Sequence, residues 1–569
     1  MEVLKHFRRS LPSGDVYAAR LARELRLIES FKFEPIFLQI REILDLVPDY
    51  RWITRGSAGC SLVAYLLGIH NMDPVKNGFM LSRFMHEQRQ DYPDVDIDFA
   101  YHERDLVIEK VMSKYPGRVG RISNHVKFKF NSAIRHALKE MGNRKFIPKY
   151  FDLENIAGSR TDSVVERAQE LVGTQKNYSL HCGGVVIFPD KIPANLILKD
   201  NQLKLNKDEV EEAGLIKVDL LCNRGMAQLN DISSRALEDY PEEDAATSKM
   251  FCAGEAWGVT FGESPAQRQL HQDIQPRNRK EIIFSLALIR PSPSADGRRL
   301  RVLERFHSHR DHVGHLIYDD DGIRFIKDLI HCSEGEAEIY RKAFAKKNGN
   351  KMREFEENIK YHPNKDQILN ELSYFALYSF CHAHAMSYGN LVWALGYEKV
   401  RQPQKFWWAA LNHAQSMYRP WVHVQEAKRV GLKFMGFGRG GWKLVGDELF
   451  PVISEDCGDG WSQYSKRGYW TSHRFMPDMW QRNDGNFYKF RGLIAAGRHH
   501  TVAGRDITFV TIGTNTGQYL DLIIDGLIDY DKYDILEGDG YFNGKSIKVN
   551  KPNFISLPKN HYQKMLFQM

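Results

Sequence analysis

The chain has 569 residues, of which 43% are hydrophobic and 12% aromatic, so it has enough apolar material for several folded domains. Its formal net charge is +7, a mild basic excess that permits a polyanionic partner without requiring one. The seven cysteines are scattered and form no CxxC pair, which argues against a zinc ribbon and predicts reduced thiols in the cytoplasm. No run of about 18 uncharged apolar residues occurs, so the sequence predicts no membrane span.

The first predicted elements are helices. Apolar residues at helical spacing predict helices over Tyr17–Phe31, Ser61–Ile69 and Arg104–Tyr115. The second of these follows a turn of small residues, RGSAGC (residues 55–60).

Between the second and third helices lies an acidic stretch, YPDVDIDFA (residues 92–100), with Asp94, Asp96 and Asp98 at every second position. In a strand these three share one face, while the apolar residues between them point into a core. Carboxylates this close raise each other's pKa, so such a face is a poor structural device unless a cation lies among them. Hard oxygen ligands suit Mg²⁺. Taken alone, the pattern leaves open a solvated edge strand or a Ca²⁺ loop.

The remaining elements follow in order. Residues 183–190 and 214–221 predict strands, and the pattern from about 230 to 415 is mainly helical. A glycine-rich break at residues 435–442 ends the helical region. The strand-like segments after residue 485 predict a small β-barrel.

Basic residues cluster in the helical region. Three runs, at residues 277–280, 297–310 and 341–353, lie within about a hundred residues of one another. Each run alone is typical of a solvated face, but together they predict an electropositive groove for nucleic acid. The HSHRDH segment (residues 307–312) is expected to form a loop that faces nucleic acid rather than a metal cluster.

Eight short motifs, in order over roughly residues 15–415, resemble the core of the C-family DNA polymerases, the family of the bacterial polymerase III alpha subunit. They are TRGSAGCSLVAYLLGIHNMDP, LSRFMHEQRQDYPDVDIDF, LHCGGVVIFPD, GLIKVDLL, WGVTFGES, ALIRPSP, SEGEAEIYRKAFAKK and YFALYSFCHAHAMSY. The resemblance implies an α+β multidomain fold. Its expected parts are a mixed-sheet, nucleotidyltransferase-like palm (1–124 and 176–232), a small thumb (125–175), large helical fingers (233–415), a helical or linker region that binds duplex DNA (416–480), and a barrel of the oligonucleotide-binding type with a C-terminal tail (481–569).

The resemblance also assigns site residues. The family's catalytic, metal-binding aspartates fall on Asp94, Asp96 and Asp219, which would hold two Mg²⁺ ions, with Mn²⁺ as an alternative. Asp98 lies outside this set and is expected to orient a neighbour such as Arg104. The residues expected to bind the incoming nucleotide are Gly56, Ser57, Arg89, Arg290, His181, Lys127 and Lys129. His181 equally fits a histidine satisfied within the core.

The implied function is a template-directed DNA polymerase that adds dNTPs to a primer 3′-hydroxyl and releases pyrophosphate. Its partners would be primer–template DNA, dNTPs and, through the barrel, single-stranded template. The alternatives are a nucleotidyltransferase of another class and a catalytically weak replication scaffold. No proofreading nuclease motif is visible. The chain begins near the palm, without the family's histidine-rich phosphoesterase-like domain, and is expected to be a minimal form of the kind a phage encodes, acting in the host cytoplasm.

Several positions depart from the family pattern. Glycines are replaced by Thr54 and Cys60, a lysine by Asn131, a glycine by Ser292, and a further lysine by His382. These changes concern the binding of the triphosphate, and they leave the three aspartates untouched. Lys127 and Lys129 are expected to supply the charge that Asn131 lacks.

The C-terminal sequence YQKMLFQM resembles the short peptide by which bacterial polymerases bind the sliding clamp. Gln563, Leu566 and Phe567 fit the Q-x-x-L-F pattern. A free tail can lay two apolar side chains into a groove at little cost in strain. The alternative is that these residues pack on the barrel.

Overall fold

The computed structural model describes residues 1–89, 93–144, 147, 152–291, 297–377, 380–413, 416–418, 420–434, 442–451, 480–481, 487–502, 505–513, 519–530, 534–542, 546–549 and 552–555. Within these ranges no helix combines the length and the apolar character that crossing a bilayer requires. The clamp-binding prediction for Gln563, Leu566 and Phe567 falls outside the described residues, as does Ser292.

The strands are β1 (Trp52–Arg55), β2 (Asp96–Ala100), β3 (Val119–Lys127), β4 (Gln175–Ile187), β5 (Lys217–Asn223), β6 (Lys433–Phe434), β7 (Trp442–Val445), β8 (Glu448–Pro451), β9 (Trp480–Gln481), β10 (Phe487–Val502), β11 (Arg505–Gly513), β12 (Tyr519–Asp525), β13 (Ile535–Phe542), β14 (Ile547–Val549) and β15 (Asn553–Ile555).

The α-helices are α1 (Asp15–Ser30), α2 (Glu34–Asp45), α3 (Leu62–Leu66), α4 (Tyr101–Lys114), α5 (Phe130–Glu140), α6 (Leu153–Ala157), α7 (Thr161–Leu171), α8 (Lys207–Glu212), α9 (Arg224–Ile232), α10 (Ala245–Cys252), α11 (Pro265–Ile274), α12 (Arg279–Leu288), α13 (Arg298–His309), α14 (Asp319–Ile330), α15 (Glu334–Lys346), α16 (Gly349–Asn358), α17 (Lys365–Ser373), α18 (His382–Arg401), α19 (Pro403–His413) and α20 (Pro420–Arg429). Short 3₁₀-helices span Glu2–His6, Gly56–Cys60, Leu81–Arg83, Gly158–Arg160, Ala194–Leu196, Leu237–Asp239 and Tyr374–Leu377.

A five-stranded mixed sheet organises the N-terminal half, with strand order β1-β2-β5-β4-β3. β2 and β5 are parallel neighbours, and their register places Asp96 opposite Asp219. Val95, Ile97 and Phe99 are buried on the opposite face, as the alternating pattern predicted. One boundary differs from the prediction: β2 begins at Asp96, so Asp94 lies in the extended segment before the strand.

β3 and β4 form a long antiparallel ribbon at one edge of this sheet. The ribbon leads to a small helical unit made of α5, α6 and α7, which has an apolar core of its own. This unit lies within the range predicted for the thumb.

The region after α9 is helical. The largest core of the described chain surrounds α18, whose Trp393 is fully buried. A second core joins α14, α15, α16 and α17. α18 therefore lies within the largest core of this half of the molecule.

The C-terminal strands close into a barrel. β10 pairs with both β11 and β13, and the ring continues from β11 to β12, from β12 to β14, and from β14 back to β13. All of these pairs are antiparallel except β12 with β14, which is parallel. The barrel contacts the helical region through Tyr519, whose ring lies 4.3 Å from that of Trp257.

The three basic runs are less free than their composition indicates. Arg279 pairs with Glu242 at 2.9 Å, and Arg310 pairs with Glu281. Arg341 is buried and bonds to Glu338. These ion pairs remove part of the charge from which the sequence predicted an electropositive groove.

The HSHRDH segment also differs from its prediction. His307 and His309 lie in the last turn of α13 rather than in a loop. His312 Nε2 lies 3.3 Å from Asp321 Oδ2, and its ring stacks on Phe284. His307 and His309 are exposed, and their contact with nucleic acid stays a prediction.

Candidate active site

The structure brings three sequence-predicted residues together on one face of the sheet. Asp94, Asp96 and Asp219 each offer a carboxylate oxygen, and these oxygens all lie within 4.8 Å of one another. The grouping follows from the pairing of β2 with β5, because two parallel strands in register place Asp96 beside Asp219. In the described part of the chain this is the one group of three or more side chains arranged to hold a metal ion.

Lysines balance two of the three charges. Lys217 precedes Asp219 by two residues on β5, so both side chains share a face. Its Nζ lies 2.8 Å from Asp94 Oδ1 and 2.7 Å from Asp219 Oδ2. Lys207 Nζ lies 3.6 Å from Asp94 Oδ2. Burial raises the pKa of Asp94, but the ion pairs with Lys217 and Lys207 outweigh it and hold that pKa below its usual value.

Asp96 differs from Asp94 and Asp219 in the cation that lies beside it. Its closest cation is Arg55, whose Nε lies 3.5 Å from Asp96 Oδ2. Burial, followed by the neighbouring charges of Asp94 and Asp219, raises the pKa of Asp96 to about 7. A divalent cation among the three carboxylates would reverse this effect by favouring the charged form.

One further feature fits a metal ion. Asp219 Oδ1 is buried and has no hydrogen-bond partner in the described part of the chain. His181 Nδ1 lies 3.8 Å away, but it accepts hydrogen bonds from the backbone N–H groups of Gly183 and Gly184. A nitrogen that accepts cannot also donate, so it does not satisfy the carboxylate. A buried oxygen without a donor is costly unless a cation binds it, and the site therefore fits a divalent ion.

The contacts of His181 favour one of its two predicted roles without excluding the other. Its Nδ1 is satisfied by the backbone of its own strand, as in a core histidine. Its ring is also only half-buried and lies beside Asp219. The prediction that it contacts the nucleotide stays a prediction.

Asp98 does not orient Arg104, so that expectation was wrong. Asp98 Oδ2 accepts hydrogen bonds from Asn223 at 3.0 Å and from the Tyr388 hydroxyl at 2.5 Å. Arg104 instead donates to the Cys182 carbonyl. Asp98 is 1% exposed, and its two hydrogen-bond donors come from the N-cap residue of α9 and from α18.

Gly56 and Ser57 form a tight turn beside the carboxylates. β1 ends at Arg55 and passes into a 3₁₀-helix that begins at Gly56, whose φ of +74° favours glycine. A Cβ at Gly56 would lie 3.8 Å from Asp96 Oδ2. The Gly56 N–H donates to His384 Nδ1 at 3.2 Å, so this part of the turn is held by α18.

Arg290 lies on the same side as this turn. Its guanidinium stacks over the Phe380 ring at 4.0 Å, and the Phe380 ring packs against His384. Burial, followed by the charges of Arg55 and Arg290, lowers the pKa of His384 to about 4. Arg290 is therefore linked to the Gly56 turn through Phe380 and His384, and its contact with the nucleotide stays a prediction.

Arg89 donates to the Phe84 carbonyl at 2.7 Å, and its contact with the nucleotide stays a prediction. The two lysines that were expected to bind the nucleotide lie away from the carboxylates. Lys127 ends β3 and Lys129 caps α5, both exposed. The ladder between β3 and β4 separates these lysines from the aspartates by nine residues, from Gly184 to Gln175, or about 30 Å for a straight strand.

Sequence reasoning missed Arg55, Lys217 and Tyr388. Arg55 stands immediately before the Gly56 turn, but only the β1–β2 register shows that it lies opposite Asp96. Lys217 could have been found, because it lies two residues before Asp219 on a predicted strand. Tyr388 is 290 residues from Asp98, so no local pattern could have indicated that contact.

A mixed α/β fold with a strand-borne carboxylate cluster beside a tight glycine turn defines a class of metal-dependent enzymes that act on phosphate groups. Comparison with known families identifies the family. Residues 2–222 match the bacterial DNA polymerase III alpha NTPase domain, and residues 223–367 match the finger domain of the same subunit. The chain belongs to the C family of DNA polymerases.

Individual relatives agree with this assignment. The chain is 28% identical over 477 residues to an error-prone DNA polymerase of Teredinibacter turnerae, which covers 73% of this chain and 46% of the relative. It is 26% identical over 504 residues to the DNA polymerase III subunit alpha of Aquifex aeolicus, covering 74% and 43%. An error-prone DNA polymerase of Symbiobacterium thermophilum is 28% identical over 521 residues, covering 81% and 47%. The chain thus spans somewhat less than half the length of these relatives.

Proposed function

We propose that this chain is a template-directed DNA polymerase that joins dNTPs to a primer 3′-hydroxyl and releases pyrophosphate. The observation that carries the proposal is the convergence of Asp94, Asp96 and Asp219 within 4.8 Å, inside the range that matches the family's NTPase domain. Relatives named as DNA polymerases support the same reaction.

The three aspartates are the residues that would hold divalent ions, two Mg²⁺ or alternatively Mn²⁺. When bound, such ions lower the pKa of an attacking hydroxyl and stabilise the charge on a leaving phosphate. The buried, unpartnered Asp219 Oδ1 and the three convergent carboxylates supply the hard oxygen ligands that Mg²⁺ prefers. Lys217, held between Asp94 and Asp219, fixes the orientation of both carboxylates.

The nucleotide would lie between the carboxylates and the Gly56 turn. Gly56 would leave room for a phosphate because it has no side chain at a point where a Cβ would lie 3.8 Å from Asp96 Oδ2, and Ser57 adds only a small one. Arg290 would contact phosphate oxygens, since a planar guanidinium suits bidentate binding. His181 would lie against the nucleotide from the Asp219 side.

The barrel would bind single-stranded template. Numbered from β10, its strand order is 1-2-3-5-4-1, that of the oligonucleotide-binding fold. Its surface exposes aromatic rings at Phe509 and Tyr541, and stacking on bases needs such rings. We expect Phe509→Ala and Tyr541→Ala to weaken binding of a single-stranded overhang about three- to tenfold each. Tyr361→Ala, which removes a still more exposed ring in the helical region, serves as the control, and an equal loss there would contradict the assignment.

Primer extension tests the proposed reaction. The purified chain, supplied with Mg²⁺, dNTPs and a primed template, should extend the primer to the end of the template. The same primer without a template should stay unextended, which separates a templated polymerase from other nucleotidyltransferases. Extension without template, or none with it, would reject the proposal. The cytoplasmic location and the clamp-binding tail stay predictions.

A further inference from the structure

We infer that Asp98 is a positioning residue that shares the Arg55 guanidinium with Asp96 and so leaves Asp96 available to a divalent ion. The catalytic consequence of this inference rests on the proposed function, but the arrangement itself can be tested by metal binding alone.

Asp98 is held in place through one of its two carboxylate oxygens. Its Oδ2 accepts from two donors, Asn223 Nδ2 at 3.0 Å and the Tyr388 hydroxyl at 2.5 Å. Asn223 is itself fixed, because its Oδ1 caps α9 by accepting from the Met226 N–H. Asp98 Oδ1 is also buried and has no hydrogen-bond partner in the described ranges. A carboxylate held this firmly through one oxygen presents the other in a fixed direction.

The other oxygen of Asp98, Oδ1, faces the guanidinium of Arg55. Arg55 Nε lies 3.7 Å from Asp98 Oδ1 and 3.5 Å from Asp96 Oδ2. One guanidinium is therefore shared between two carboxylates on the same face of β2. If Arg55 paired with Asp96 alone, it would compete with a divalent ion for that carboxylate. A second anion lowers this competition because Arg55 keeps a partner when Asp96 binds the ion.

Helix α18 supports both Asp98 and the end of β1. Three residues on one face of this helix contact the site: His384 accepts from the Gly56 N–H, Ser387 donates to the Thr54 carbonyl at 2.5 Å, and Tyr388 donates to Asp98. Their i, i+3, i+4 spacing places them on one stripe. α18 therefore fixes both the end of β1, which carries Arg55, and the carboxylate that Arg55 faces.

The alternative is that Asp98 only stabilises the packing of α9 and α18. Packing would account for the two bonds to Oδ2. It would not account for a buried Oδ1 that faces a guanidinium and no hydrogen-bond donor in the described residues. The two roles differ in one measurable quantity, the affinity of the protein for a divalent ion.

The test is a Mn²⁺ titration of the protein alone, in which electron paramagnetic resonance reports free Mn²⁺. Asp98→Asn keeps the shape of the side chain and its acceptor oxygen. We expect it to weaken Mn²⁺ binding about three- to tenfold, since Arg55 would then pair with Asp96 alone. Unchanged Mn²⁺ affinity in this variant would overturn the inference.

A double-mutant cycle separates this effect from direct attraction between Asp98 and the ion. In an Arg55→Gln background, Asp98→Asn should change Mn²⁺ affinity by less than about twofold, because the competing guanidinium is gone. The full loss in that background would show a direct charge effect and reject the role of Arg55.

Two further variants serve as a control and as a replacement for Asp98→Asn. Tyr397→Phe removes a hydroxyl from the same helix, where its ring packs on Tyr240, and should leave Mn²⁺ affinity at the wild-type value. If Asp98→Asn does not fold, Tyr388→Phe replaces it. The Tyr388 hydroxyl donates to Asp98 and also lies beside Arg55, so its removal leaves both groups less firmly placed and should weaken Mn²⁺ binding, by less than Asp98→Asn would. Wild-type affinity in Tyr388→Phe would overturn the inference.

Primer extension adds a second readout. Asp98→Asn should need a severalfold higher Mg²⁺ concentration for half-maximal extension, while Tyr397→Phe should not. If the wild type extends no primer at all, the proposed function fails and the Mn²⁺ titration still decides the role of Asp98.

Discussion

The two sides of the candidate active site differ in how much of the family pattern they keep. On the carboxylate side, Asp94, Asp96 and Asp219 are all present and converge within 4.8 Å. On the phosphate side, the chain replaces family residues at Thr54, Cys60 and His382. A metal ligand must place an oxygen at a fixed point, whereas positive charge near a phosphate can come from several directions. The difference indicates that the reaction constrains the positions of the metal ligands more strictly than the positions of the cations near the phosphates.

The largest effect is expected on the carboxylate side. Asp94→Asn, Asp96→Asn or Asp219→Asn should each lower the extension rate by roughly a thousandfold, since a metal ligand contributes several kcal/mol to the transition state. Binding of primer–template DNA should stay nearly unchanged, measured by fluorescence anisotropy on the same samples. Wild-type activity in one variant would remove that residue from the site.

A smaller effect is expected at Arg290, where the phosphate side retains the family residue. Arg290→Ala should raise the KM for dNTP about tenfold, the loss expected for one charge-assisted contact to phosphate. Arg290→Lys should recover only part of it, because an ammonium cannot bind bidentately. Steady-state kinetics at saturating DNA measures both. If kcat falls while KM does not change, Arg290 acts on something other than nucleotide binding.

His382, unlike Arg290, is a position where the chain departs from the family pattern. Its ring is stacked on Tyr318 at 4.1 Å and packed edge-on against Phe79. Burial first, and the nearby charges of His312 and Arg324 next, lower the pKa of His382 to about 4, so it is neutral where the family has a lysine. We therefore expect His382→Lys to bury an unpaired ammonium and lower the melting temperature by at least about 5 °C.

The control at this position is His382→Phe, which keeps the stacked ring and should melt close to the wild type. Differential scanning fluorimetry measures both. If His382→Lys is as stable as the wild type and lowers the KM for dNTP, the position is a phosphate contact after all, and the phosphate side retains more of the family pattern than this structure indicates.

A fourth prediction concerns pH. Burial lowers the pKa of His70 and His382 to about 4, and that of His271 to about 3, from the usual 6.5. Because these pKa values are depressed in the folded state, the unfolded chain binds more protons at acid pH. The stability that these neutral histidines contribute should be fully present above pH 6.5 and be lost as the pH decreases from 6.5 towards 4. Thermal unfolding across this range, with His271→Gln as a variant that should flatten the fall, tests the sign.

The smallest expected effect is an absence of editing. The carboxylate cluster of Asp94, Asp96 and Asp219 is the one candidate metal site in the described part of the chain. A primer with a mismatched 3′ end should therefore keep its length in the absence of dNTPs. Steady trimming of the end that survives Asp96→Asn would reveal a second active centre.

The strand that carries Asp96 could be predicted from the sequence because its pattern is local. Alternating aspartates and apolar residues indicate a half-buried strand, whereas Asp219, on a second apolar strand, was assigned to the site by the family resemblance. The strand pairing then brings them together without further specification. The same locality made the closed C-terminal barrel predictable from alternating segments and turns.

The contacts that the sequence did not reveal are those made across the chain. Arg55 reaches Asp96 through a register that no single strand encodes, and Tyr388 reaches Asp98 from a helix 290 residues away. The expectation for Arg104 failed for this reason, since a nearby arginine was preferred to a distant tyrosine. Likewise, Lys127 was expected to supply the charge that Asn131 lacks, but it lies at the far end of a long ribbon.

The central claim is that the three convergent aspartates carry out templated nucleotide addition. Its most direct test is the incorporation of a single nucleotide opposite each of the four template bases, with wild type and Asp219→Asn compared at saturating Mg²⁺ and equal DNA occupancy. We predict that the wild type adds the complementary nucleotide in each case and that Asp219→Asn adds none at the same time points. Addition that ignores the template base, or equal addition by Asp219→Asn, would contradict the account.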